Sequence, residues 1–243
     1  MADRFFVDSP IRGETVVVSG PEAHHLAHVM RATPGGKVRL FDGTGVEYIA
    51  RVVSIARREV HLAILSAERV DRELALDLTL GAPLPKGDRQ KWLVEKAVEL
   101  GVRRLVPLRT ARAVAQPRAQ AVARLRRAVI EASKQCGRNR LMDIGEPMDW
   151  AAFLALGVGR CCRLVAHPAA GASTAGCPHH PLWPAQTPPE QVLMAIGPEG
   201  GFTADEVAQA VAAGWQTIDL GPRILRVETA AILLVALVLQ SFA

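Results

Sequence analysis

Residues Val192 to Gly214 read VLMAIGPEGGFTADEVAQAVAAG, and this stretch decides the class of fold. Its first residues form a short unbroken apolar run, which suits a strand buried on both faces. A glycine-rich turn follows, holding Gly197, Gly200 and Gly201. Thr203, with Glu206 three residues on, has the form of a capping box and marks the start of a helix. Strand, tight turn and helix in that order are the repeating unit of a parallel α/β sheet. In such sheets ligands bind at the carboxyl ends of the strands, where this turn lies. Glycines there allow positive φ and close approach of the backbone to a ligand.

One short unit later comes WQTIDLGPRILRVETAA, from Trp215 to Ala231. It reads as a strand, an irregular turn from Leu220, and a helix starting near Glu228. The helix continues as the uncharged run Ala230–Leu239, too short to span a membrane, which needs about 20 residues. Buried in a core or between subunits, such a helix has no need of charges, yet Arg226 and Glu228 stand directly against it. The first loop lacks the lysine and spacing of a Walker loop and is not G-x-G-x-x-G, and Glu199 would repel a pyrophosphate. Glycines in one loop, with Leu220, Gly221, Ile224 and Leu225 in the other, suit a flat aromatic ring held between apolar walls. These features point to an adenosine-containing ligand without phosphates, namely S-adenosylmethionine.

Upstream, the same alternation continues. LALDLTLGAPL reads as a strand, DRQKWLVEKAVELG as an amphipathic helix stopped by Gly101, and RRLVPLRT as a strand. Trp92, Leu93, Ala97 and Leu100 form the apolar side of that helix. QPRAQAVARLRRAVIEASKQCGRNR is a long helix with Pro117 near its start and a buried stripe of Val122, Leu125, Val129, Ala132 and Cys136. Arg124, Arg127 and Lys134 lie off the stripe. RLVAHP and QVLMAIG complete the strands. The Pro-, Gly- and Ala-rich segment near 168–190 reads as a surface insertion without regular structure.

Residues 1–72 differ. ETVVVSG, KVRLFDG, EYIARVVSIA and EVHLAILSAERV are short, β-branched runs separated by turns, the pattern of a small β-barrel. One helix, SGPEAHHLAHVMR, interrupts them, with Pro21 at its start and Leu26, Val29 and Met30 as its stripe. The expected division is therefore 1–72 and 73–243.

Charge is unevenly placed. Residues 86–140 carry 15 basic and 4 acidic groups, while 141–222 carry 2 and 8. A basic block of this size is the footprint of a protein that meets phosphate backbones. Arg4, Arg31, Lys86, Arg89 and Arg138 are candidate phosphate contacts. His24, His25 and His28 invite a metal reading, since positions four apart share a helix face, but no third ligand at a helpful spacing accompanies them, and helix surface or RNA contact is the better reading. Cys177 with His179 and His180 likewise makes no metal site, so no metal is expected. The four cysteines fit reduced thiols better than a disulfide framework. MADRFFVDSP lacks the apolar core of a signal peptide, so a cytoplasmic location is expected.

IGPEGGFTADE followed by LGPRILRVETAA, with KWLVEKAVELGV and EASKQCGR upstream, closely resembles the RsmE-type 16S ribosomal RNA uridine-N3 methyltransferases of the SPOUT superfamily. RFFVD and HHLAHVMRATPGGKVRLFDGTGVEY resemble that family's RNA-binding domain. The likeness covers nearly the whole chain in the family's order, and the 168–190 segment departs from it. It implies a PUA-like amino-terminal domain, and an α/β trefoil-knot domain in which the chain after Leu220 threads an earlier loop. It implies a homodimer acting on 16S ribosomal RNA of the small subunit. Uridine N3 is a poor nucleophile until its proton leaves, and the resulting charge spreads onto O2 and O4. Arg226 is then the candidate stabiliser of that charge, and Glu228 the candidate proton acceptor or orienter of Arg226; a first-turn acid favoured by the helix dipole is the structural alternative for Glu228, and Glu199 or direct loss to water are the alternatives for the proton. Ribose 2′-O-methylation by a SPOUT enzyme, and RNA binding without catalysis, are the competing functions.

Overall fold

A computed structural model describes residues 4–113, 119–168 and 189–241. Pro117 and the segment bearing Cys177, His179 and His180 lie outside the described residues. The chain forms two compact units, Met1–Glu73 with Ile130–Leu141, and Leu74–Val129 with Met142–Ala243. Pattern alone places all of 73–243 together. The second half of the long helix and the turn after it belong instead with the amino-terminal unit, because their partners there are distant in sequence.

The amino-terminal unit contains β1 (Arg4–Phe6), β2 (Thr15–Ser19), α1 (Gly20–His24), β3 (Lys37–Phe41), β4 (Val46–Ile55) and β5 (Glu59–Arg69). The strands form a five-stranded sheet in the order β1-β3-β4-β5-β2, with β1 and β2 at the ends of the hydrogen-bonded path. Phe5, Leu26, Leu40, Ala50, Val52, Val60 and Leu62 pack in its core. The helix from Gly20 is not regular: α1 gives way to one π-helical turn, His25–Val29. Leu26 is buried, but Val29 and Met30 are exposed. The wider turn takes these two off the stripe expected of an unbroken α-helix.

Arg4 and Arg138 are internal to this unit, which corrects their reading as phosphate contacts. Arg4 donates to Glu47 Oε2 at 2.6 Å, to the carbonyls of Gly137 and Arg138, and to Asn139 Oδ1. Arg138 Nε and Nη2 both meet the Glu73 carboxylate, and its side chain is 4% exposed. A buried guanidinium needs such partners, and ones already so engaged cannot also reach RNA. Lys134 is likewise nearly buried, against Glu22.

The second unit contains β6 (Asp77–Ala82), α2 (Arg89–Glu99), β7 (Arg104–Arg109), α3 (Ala119–Cys136, continuing into the first unit), β8 (Asp143–Ile144) and β9 (Met148–Asp149). After these come α4 (Trp150–Leu154), β10 (Cys161–Ala166), β11 (Gln191–Ala195), α5 (Ala204–Ala212), β12 (Gln216–Ile218) and α6 (Val227–Gln240). The strands pair in parallel, in the order β12-β10-β11-β6-β7-β8, with β9 beside β7. Val192, Leu193, Met194 and Ala195 are all buried, as expected of a strand covered on both faces. Leu193 and Ala195 join a cluster with Trp150, Phe153, Phe202 and Trp215. Gly81 lets β6 pass beneath this cluster, since a Cβ there would lie 2.5 Å from the Phe153 ring. Helix α2 buries Leu93, Val94, Ala97 and Val98 and ends at Gly101, whose φ is +81°. Trp92, expected in the core, is 42% exposed, because the buried arc turns toward Val94 and Val98. Among the described residues no helix is long and apolar enough to cross a membrane.

Candidate active site

The connections at the carboxyl ends of the strands of the second unit include 83–88 after β6, 196–203 after β11, and 219–226 after β12. The last two are not at adjacent strand ends, although they follow one another closely in sequence, because β10 lies between β11 and β12. Helix α6 nevertheless packs against α2 and β6. The 219–226 connection therefore starts at an edge strand and delivers the next helix three strand positions away, a lateral distance of about 14 Å.

The glycines of the first loop serve different needs. At Gly197 a Cβ would crowd the Phe202 ring and backbone at 3.1 Å, so this glycine lets the loop close on itself. At Gly200 a side chain would meet Arg112 at 3.3 Å, and Arg112 Nη1 donates to the Gly200 carbonyl at 2.7 Å. Gly201 has φ +69°, with nothing within 4 Å of a built Cβ. Gly221 in the second loop is similar, at φ +99° with open space beside it. Gly201 and Gly221 are thus the positions where a ligand can approach bare backbone.

The Thr203–Glu206 capping box is present with both its hydrogen bonds. Glu206 does more than cap, because its Oε1 also accepts from the Ala111 N–H at 2.8 Å. This buried carboxylate ties the turn after β7 to the glycine-rich loop.

Of the second loop, Leu220 and Leu225 are half-buried, whereas Ile224 is 97% exposed. Ile224 is not the wall of a closed pocket within one chain. Arg226 occupies the N-cap of α6, is exposed, and makes no ion pair among the described residues. It stands where the helix dipole and the unpaired first-turn N–H groups favour negative charge. Glu228, in the first turn, is only 6% exposed, and its Oε2 is buried without a hydrogen-bond partner.

Glu228 does not orient Arg226. Its Oε1 lies 3.7 Å from Arg89 Nη1, and the same nitrogen is 3.8 Å from Glu199 Oε1. Arg89, expected to face phosphate, is set between two carboxylates, one on the glycine-rich loop and one on α6. Sequence reasoning missed this role. The signal available was a pair of acids, at 199 in the glycine-rich loop and at 228 in the first turn of α6, with no cation assigned between them. Lys86, in the loop preceding α2, is exposed at the same end of the sheet. Arg31 is exposed on the amino-terminal unit, and Arg124, Arg126 and Arg127 are exposed on α3.

No thiol nucleophile is poised on the neighbouring strand. Burial, then the adjacent Cys161, push the Cys162 thiol up to about 11, with Arg163 pulling the other way. It is therefore protonated and poorly reactive at neutral pH. Among the described residues no three His, Cys, Asp or Glu side chains are grouped to hold a metal ion.

The RNA methyltransferase domain family matches residues 72–239, and the RNA methyltransferase PUA domain family matches 18–65. Ribosomal RNA small subunit methyltransferase E of Synechocystis is 31% identical over 222 residues, which is 89% of this chain and 70% of that one. The chain belongs to the ribosomal RNA small subunit methyltransferase E family. The protein of the same name from Mycobacterium bovis is 31% identical over 236 residues, 93% of this chain and 87% of that one. A methyltransferase E of this family from Neisseria gonorrhoeae, solved bound to S-adenosyl methionine, superposes with a TM-score of 0.84 at 30% identity. That match covers 97% of this chain and 96% of the other. A methyltransferase from Legionella pneumophila, solved with bound SAM, gives 0.87 at 28% identity over 99% and 98% of the two chains.

Proposed function

We propose that this protein transfers the methyl group of S-adenosylmethionine to N3 of a uridine in 16S ribosomal RNA of the small subunit, in the cytoplasm. The observation that carries this reading is the start of α6. An exposed arginine at the N-cap is followed, two residues on, by a buried carboxylate with an unpartnered oxygen. One group suits a developing anion and the other suits an N–H. Membership of the family and the likeness to two proteins solved with this ligand support the choice of methyl donor.

The residues present fit such a ligand. Gly201 and Gly221 leave open space beside bare backbone, and Leu220 and Leu225, half-buried in the second loop, supply apolar surface. S-adenosylmethionine brings a methyl group already activated on a sulfonium, so the protein needs chiefly to position the two substrates and prepare the nucleophile. Glu228 accepts the N3 proton. Arg226 holds the charge that spreads onto the uracil oxygens. The N3 lone pair then takes the methyl, and sulfur keeps the electrons of the broken bond. Lys86, Arg31 and the exposed arginines of α3 are the phosphate contacts of this reading, in place of Arg4 and Arg138.

The knot and the dimer belong to the same reading. The route of 219–226, from an edge strand past β10 and β11 to β6, fits a chain threaded through an earlier loop. Helix α6 buries Ala231, Leu234, Val235 and Val238, yet Ile232, Leu233, Leu237 and Leu239 remain only half-buried. With Ile224 and Trp92 exposed as well, a second copy of the chain is the natural cover. Sedimentation should give twice the 26.1 kDa chain mass, and a monomer at micromolar concentration would remove the dimer.

Mass analysis of nucleosides tests the function directly. After incubation with small subunits or 16S RNA lacking the modification, 3-methyluridine should appear only with wild-type protein and S-adenosylmethionine. A 2′-O-methylated nucleoside would replace base methylation with ribose methylation. No methylated product, with the methyl donor bound, would leave RNA binding without catalysis.

A further inference from the structure

The amino-terminal unit has a groove of its own, about 460 Å³ in volume, between the α1 helix with its π turn and the tip of the β4–β5 hairpin. That volume is within the roughly 300–1,000 Å³ usual for small-ligand clefts. His24 and His28 line one side, with ring centroids 4.7 Å apart. Arg57 and Arg58, both exposed in the turn joining β4 to β5, line the other. Glu59 is the acid in the lining, and its carboxylate is 3.9 Å from His61 Nε2.

The backbone beside this groove is unusual in two ways. The π turn is closed by the Met30 N–H donating to the His25 carbonyl at 2.9 Å. Arg31, which follows it, has φ +50°, the left-handed conformation that non-glycine residues avoid. Both features cost stability and are held in place by their surroundings. Leu26 is fully buried, its carbonyl accepts from Ala32 at 3.1 Å, and His25 meets the edge of Phe5. Departures of this kind gather where a chain is shaped for a ligand.

We propose that this groove holds one unpaired nucleotide of the RNA substrate, its base stacked on the His24–His28 pair and its phosphate against Arg57 and Arg58. The inference rests on the reading that the protein acts on RNA. Imidazole faces stack on any base, and guanidinium groups match phosphate oxygens. A base inside a duplex offers no free face, so the occupant is single-stranded.

Fluorescence anisotropy with a short single-stranded oligoribonucleotide, and with its abasic counterpart, tests the proposal on the full chain. The wild type should bind the base-bearing strand more tightly than the abasic one. The double variant His24→Ala with His28→Ala should lose about tenfold or more for the base-bearing strand and little for the abasic one. The double variant Arg57→Ala with Arg58→Ala should weaken both strands, and the slope of log affinity against log salt should fall by roughly 0.7 for each phosphate no longer neutralised. Circular-dichroism spectra and thermal midpoints like those of the wild type show that the variants, amino-terminal unit included, are folded. Equal affinity for the two strands, or a histidine variant that binds like wild type, overturns the groove. If wild type yields no methylated RNA while the stacking result holds, the methyl-transfer reading falls and the groove stands. If methylation proceeds with unchanged KM for RNA in the histidine variant, the groove falls and methyl transfer stands.

Discussion

Arg226→Ala should lower the rate of methyl transfer by about a hundredfold or more, with a much smaller effect on binding of S-adenosylmethionine. The guanidinium sits at the N-cap of α6, adding its charge to the positive end of a 14-residue helix. In the single chain it is exposed, where water screens it and its influence is small. Bound RNA and a second subunit would exclude that water, and the same charge then acts at low dielectric on an anion that exists only as N3 loses its proton. Removing a donor aimed at developing charge typically costs ~10²–10³ in kcat. The loss should therefore appear in kcat and in kcat/KM together, the pattern of an interaction made only in the transition state. Single-turnover rates near wild type for Arg226→Ala would remove Arg226 from the mechanism.

Glu228→Gln should slow the reaction by roughly 10²–10⁴, the range for loss of a general base, and the defect should shrink as pH rises. The sign follows from the substrate. Higher pH ionises a larger fraction of N3 without help, so a variant lacking the base gains rate while wild type gains less. A purely structural Glu228 makes the opposite forecast. Its pairing with Arg89 at 3.7 Å and its place in the first helical turn would then be its whole role, and the Gln variant would lose stability with no recovery at alkaline pH. Arg89 supplies an independent check. If Arg89 acts by holding Glu228 between the two loops, Arg89→Met should slow wild type but add little in the Glu228→Gln background. Additive losses would assign Arg89 a separate task.

The features that frame the candidate site were legible where their signals are local. The Thr203–Glu206 capping box needs residues three apart, and it is formed as read. Gly101 and Gly201 stand at turns that require positive φ, a demand made by the backbone on the residue itself. The apolar run at 192–195 became a strand covered on both faces. The misreadings concern partners distant in the chain. Arg4 and Arg138 looked like free cations because nothing near them in sequence is an obvious partner. Arg4 instead reaches the Arg138 carbonyl 134 positions away and Glu47 43 away, and Arg138 reaches Glu73 65 away. Trp92 looked like core because periodicity reports that a helix has an apolar side, not how far that side turns from solvent.

The sequence by itself determined the two-part architecture, the alternation of strand and helix, the glycine-rich turn, and the arginine and glutamate at the start of α6. These follow from side-chain period and backbone freedom, which a few neighbouring residues settle among themselves. Only the tertiary structure decided that β10 stands between β11 and β12, that residues 130–141 join the amino-terminal unit, and that Arg89 lies between Glu199 and Glu228. Strand order and ion pairing depend on which surfaces meet when the chain closes. A buried charge takes whichever opposite charge the packing brings within about 4 Å, however far apart the two stand in sequence.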